Sequence, residues 1–164
     1  MKSFAIGLLN LLVKSGVNNL KSKDNYKIII RDKHWTDGDK SESEMSVFGS
    51  FEFKDDKYKI SYMEHEGDLA GCVTDITFTK DPKSVYMTRT GAFTTNLLLQ
   101  QNRRNTCQYN TPYGTMMMGI FTYDIDSTMN EDGGDLAFTY SLDVEGGTVS
   151  KTELHFNVRE MSNV

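Results

Sequence analysis

Arg89 lies in the stretch SVYMTRTGAF (residues 84–93). A two-residue alternation puts it on the side of Val85 and Met87, with Tyr86, Thr88 and Thr90 on the other. A guanidinium on an apolar strand face is tolerable only when an opposite charge and hydrogen bonds replace its lost hydration. In KYKISYMEH the same alternation puts Glu64 on the face of Tyr58, Ile60 and Tyr62. Two chemistries are open to this pair. Arg89 can be balanced internally by Glu64, assisted by Tyr62. Alternatively, it is reserved at a cavity mouth for a ligand carboxylate or phosphate, which its planar fork suits. Gly91, two positions farther along that face, either leaves room for such a ligand or marks a bulge where the strand bends.

Other residue groups carry weaker signals. TPYG (residues 111–114) is a turn, with Pro112 at its first corner, Gly114 supplying backbone freedom, and Tyr113 placed to fold over the end of the strands. Met116, Met117 and Met118 are soft side chains that line a cavity or fill an irregular core, and Met118 is the candidate lining residue. EHEGD (residues 64–68) gathers acids and His65, but alternation turns His65 away from the glutamates, so no metal site is expected. His34 and His155 stand alone on polar faces and read as solvated. NRRN (residues 102–105) reads as a solvated basic turn. No serine or cysteine has a histidine and an acid at a recognisable spacing, and no nucleophile-elbow or phosphate-loop glycine pattern occurs. Neither an enzyme nor a cofactor is expected.

These residues must be positioned by a chain of 164 residues, long enough for one domain with a real core. The net charge of −5 argues against a nucleic-acid partner, which needs a basic surface. Cys72 and Cys107 form no C-x-x-C pair and read as buried thiols of a reducing, cytoplasmic compartment. At the start, Lys2 and the apolar run Phe4 to Val13 imitate a signal peptide, but Asn10 interrupts the run and no cleavage site follows. The run is also too short to span a bilayer. Phe4, Leu8, Leu11 and Leu12 share one helical face, so residues 1–25 are expected to be a short helix and linker, with the helix able to mediate a homodimer.

From residue 26 to 164 the period is two. Tyr26, Ile28 and Ile30 share a face, as do Met45, Val47, Phe51 and Phe53, and then Thr74, Ile76 and Phe78. FTTNLLL and NTCQYN are weaker segments separated by a polar QQNRR, and TMMMGIFTYDID is a long strand whose inward face the pattern leaves open. Leu136, Phe138, Tyr140, Leu142 and Val144 line up, EGG turns the chain, and Thr152, Leu154, Phe156 and Val158 follow. Eight to ten strands joined by short polar turns predict an all-β, antiparallel up-and-down barrel, with a two-sheet sandwich as the alternative.

The stretches ISYMEHEGDLAG, VYMTRTGAF, YNTPYGTMMMGIFT and LAFTYSLDVEGGTVSKTELHF, in this order, resemble the YwiB-like family of uncharacterised bacterial proteins. That resemblance implies a calycin-like, lipocalin-like barrel and no assigned activity. The N-terminal lead departs from the family's shorter start. Two functions from different classes are therefore expected. One is a barrel that binds a small hydrophobic or anionic molecule, with Arg89, Glu64, Tyr62, Gly91, Tyr113 and Met118 as candidate ligand residues. The other is a structural or partner-binding protein whose barrel is filled by its own side chains. An enclosed apolar space of several hundred cubic ångströms separates the two.

Overall fold

A computed structural model describes residues 24–162, and the expected N-terminal helix and its dimer contact lie outside these. The described residues contain ten strands: β1 (Tyr26–Thr36), β2 (Asp39–Lys54), β3 (Lys57–Met63), β4 (Val73–Thr79), β5 (Ser84–Thr90), β6 (Thr94–Gln100), β7 (Arg103–Thr111), β8 (Gly114–Ser127), β9 (Gly133–Val144) and β10 (Gly147–Glu160). Each pairs antiparallel with its sequence neighbours, and β1 closes on β10 from Tyr26↔Glu160 to Trp35↔Lys151. The result is a closed up-and-down barrel, not a sandwich. Closure leaves no edge strand to template association. The one helical element among the described residues is a single 3-10 turn, Gly67–Leu69. No helix there is long and apolar enough to cross a membrane.

Local chemistry sets the hairpins. Asp37–Gly38, Asp55–Asp56 and Glu145–Gly146 form two-residue connections in which both residues have positive φ. That backbone matches the right-handed twist of the flanking strands, and glycine and aspartate tolerate it best. The β1–β2, β3–β4, β5–β6, β7–β8 and β9–β10 connections gather at one end of the barrel, here the upper end. The start of β1 and the end of β10 meet at the lower end.

Alternation then fills the interior in layers. Tyr58, Phe78, Val85 and Leu99 lie side by side across β3 to β6, and Ile60, Ile76, Met87 and Leu97 form the layer above. Phe51 stacks on Tyr58 at 5.8 Å between ring centroids, and Phe138 packs on Phe156 at 5.8 Å. Met129, in the β8–β9 connection, is buried in the same core and closes the lower end. A ten-strand barrel encloses more room than the eight-strand kind that side chains just fill. The aromatic rings of the lower half take up that excess.

Three local readings change. Gln101–Asn102 alone makes the β6–β7 turn, so Arg103 and Arg104 belong to β7 and NRRN is not a solvated turn. Arg104 donates to Asp143 from Nε at 2.9 Å and from Nη2 at 2.6 Å, crossing Gly119, where an added Cβ would collide with both groups. The inward face of β8 escapes a period-two reading because a bulge at Tyr123 shifts the register between Thr122 and Asp124. Met118, Ile120 and Thr122 face inward before it and Ile125 after it, one residue out of step. Finally, His34 does not sit on a polar face. It continues the inward series Tyr26, Ile28, Ile30 and Asp32 of β1.

Candidate functional site

Above the Ile60–Leu97 layer the interior turns polar. Tyr62, Thr74, Arg89, Thr95 and Tyr109 occupy one continuous row of strand partners across β3 to β7. His34, Thr152, Tyr140 and Thr122 form a second row across β1, β10, β9 and β8. Members of both rows line a cavity of about 360 Å³ in the upper lumen. Asp32, one inward step below His34, lines it too, and its other walls are Met87, Leu97, Met116, Met118, Leu142 and Leu154.

Arg89 is held from β4 and from the β3–β4 connection. Its Nε donates to Thr74 Oγ1 at 3.3 Å, Thr74 donates to Glu64 Oε1 at 3.5 Å, and Arg89 Nη2 lies 3.6 Å from the same Oε1. Glu64 is 5% exposed. Its main chain is fastened by two hydrogen bonds, from its own N–H to Cys72 O and from the Gly71 N–H to Glu64 O. Tyr62 is the strand partner of Thr74; burial, reinforced by the Glu64 charge, keeps its phenol protonated well above the ordinary tyrosine range. The pairing of Arg89 with Glu64, assisted by Tyr62, is therefore the geometry present, with Thr74 as an added relay.

The second row is ordered as well. His34 Nδ1 contacts Thr152 Oγ1 at 2.9 Å and Nε2 contacts Thr36 Oγ1 at 2.7 Å, so both ring nitrogens have hydroxyl partners. The Tyr140 phenol is pushed up to about 12, chiefly by burial, against the opposing effect of its hydrogen bond with Thr152. Two groups are exceptions. The buried Thr122 Oγ1 has no hydrogen-bond partner, and the buried Asp32 Oδ1 accepts none; burial raises the Asp32 carboxyl above the usual range, while His34 acts in the opposite direction.

Of the six candidate residues, Arg89 and Met118 line the cavity, while Glu64 and Tyr62 stand behind Arg89 and orient it. Gly91 and Tyr113 do not join them. Gly91 (φ +140°) packs against Cys72, where an added Cβ would meet Sγ at 2.9 Å and Cα at 3.0 Å; the space there belongs to the loop, not to a ligand. Tyr113 is 96% exposed at the tip of the β7–β8 turn and covers nothing. Asp32, His34, Thr95 and Thr152 are site residues the sequence reading missed. Extending the Tyr26–Ile28–Ile30 alternation by two steps reaches both Asp32 and His34, so the signal was present. Among the described residues no cluster of three or more His, Cys, Asp or Glu side chains could hold a metal ion.

A family model described as a domain of unknown function, DUF1934, matches residues 28–156, which run from β1 to β10. The chain belongs to this family. The crystal structure of ywiB protein from Bacillus subtilis has the same fold, with a TM-score of 0.71 and 20% identity over 84% of this chain and 92% of that one. No curated protein matches the sequence. The DUF1934 match contains every strand segment that contributes to the two polar rows, so the upper lumen belongs to the family domain itself.

Proposed function

We propose that this barrel binds a small, largely apolar molecule in its upper lumen, in contact with Arg89 and Met118. The observation that carries the reading is the cavity of about 360 Å³, walled by methionine and leucine side chains and by members of the two polar rows. Ligand sites are typically of this kind, concave and mostly apolar, with a few placed polar groups. Glu64 and Tyr62 serve as positioning residues for Arg89. Because Arg89 already faces a buried carboxylate, the hydrophobic ligand of the two classes expected is favoured over the anionic one. A barrel filled by its own side chains describes the lower half well, but the upper half departs from it. Two unpaired buried thiols support a reducing, cytoplasmic setting.

Native mass spectrometry of the protein purified from its own host, compared with the denatured chain, tests the reading. A mass excess that disappears on denaturation, and that falls when Leu97→Trp fills the lumen, is the expected result. A native mass equal to the chain mass, with no change in melting temperature across a library of small apolar molecules, would return the barrel to a structural role.

A further inference from the structure

We infer that the polar head of the ligand is a primary amine or ammonium group, and that Asp32 is the residue that reads it. This rests on the binding reading above and specifies its chemistry. The cavity is lined by one guanidinium, Arg89, and one carboxylate, Asp32. Their situations differ. Arg89 has Glu64 beside it, with Thr74 joining the two by hydrogen bonds. An incoming anion would have to compete with that buried carboxylate and would stand close to it. Among the described residues no cation pairs with Asp32. Its carboxylate lines the cavity, and its Oδ1 accepts no hydrogen bond.

The neighbours of Asp32 do not remove the deficit. On its own strand His34 is engaged at Nδ1 by Thr152 and at Nε2 by Thr36. On the adjoining strands its partners are Leu154 of β10 and Ser43 of β2. Tyr140 of β9 is near enough to feel both Asp32 and Arg89 electrostatically, but it makes no hydrogen bond to Asp32 Oδ1. With Arg89 offset by Glu64, the Asp32 carboxylate is the charge left without a counter-ion among the described residues that line the cavity. A buried acceptor without a partner is costly, and a charged donor is the group that relieves it most. Met87, Leu97 and Met118 of the same cavity supply the apolar wall for the body of such a ligand.

Isothermal titration of the full chain with hexylamine, 1-hexanol and hexanoate reads the head group at constant body. The amine is expected to bind at least about tenfold more tightly than the other two, the scale of one charge-assisted hydrogen bond. Asp32→Asn, and independently Asp32→Ala, should erase that preference. Equal binding of the three probes, or an amine preference that survives in both variants, overturns the assignment. Preference for hexanoate, lost in Arg89→Met, overturns it in favour of anion recognition and leaves the binding barrel standing. A barrel that takes none of the three probes overturns the binding reading as well.

Discussion

The lower and upper halves of this lumen are built on the same strands and differ in what the inward positions carry. Below, Tyr58, Phe78 and Phe156 are each buried to 3% exposure or less and interlock ring on ring. Above, threonine occupies the inward positions of β4, β6 and β10, Arg89 that of β5, and Asp32 and His34 those of β1. Threonine is too small to fill a ten-strand barrel, so the upper half keeps a cavity where the lower half places aromatic rings. A protein selected only for stability would gain from aromatic side chains at both ends. The contrast teaches that the lower half supplies the folding free energy, while the upper half holds desolvated polar groups at some cost to it.

The largest effect should come from the lower half. Phe156→Ala removes a ring in contact with Phe138 and Tyr62, and is expected to cost about 3 to 5 kcal/mol in urea unfolding. A loss under about 1 kcal/mol would mean that the lower core is loosely packed.

Next is the Arg89 pair. Arg89→Met strands the buried Glu64 carboxylate and should destabilise by about 3 kcal/mol, since one partner of a buried pair remains uncompensated. Adding Glu64→Gln should restore most of the loss. A single variant as stable as the parent would show that the guanidinium is held for something other than Glu64.

Overpacking should separate the two halves directly. Val85→Phe, in the filled layer, is expected to cost about 1 to 3 kcal/mol, whereas Leu97→Phe, on the cavity wall, should cost less than about 1.5 kcal/mol. Equal costs in thermal unfolding would erase the contrast.

The smallest effect expected is a gain. Burial raises the Asp32 carboxyl in the folded protein, with His34 opposing. The unfolded chain therefore ionises first as pH rises, and the folded state loses relative stability from the ordinary carboxylate range up to the raised value. Asp32→Asn should accordingly melt higher than the parent at neutral pH, with the advantage shrinking as pH falls through that window. A variant that melts lower at neutral pH would mean that the Asp32 carboxylate has a stabilising partner.

Period-two patterning is a local property, and it reaches the reader directly from the sequence. It predicts strands β1, β3, β4, β5, β9 and β10 and, apart from Asp32 and His34 of β1, their inward faces, because each side chain's direction depends only on its neighbours in the chain. The same pattern puts Arg89 and Glu64 on inward faces, and their pairing follows from the meander, in which β3 and β5 both flank β4. Elsewhere the pattern breaks for identifiable reasons. The bulge at Tyr123 inserts one residue into the count, and only pairing with β9 shows where the alternation resumes. Gly91 and Gly119 have their meaning from Cys72 and from the Arg104–Asp143 pair, both brought close by the fold.

By itself, the sequence determined the all-β meander, the inward placement of Arg89 and its buried carboxylate partner, all written in alternation along single strands. Closure of β1 on β10 was decided only in three dimensions. That closure sets His34 against Thr152, brings Asp32 into the same lumen as Arg89, and leaves the space between them. The physical reason is that a cavity is a property of a circumference. Its size depends on how many strands close and how large the side chains at one height are, and no single strand carries either quantity.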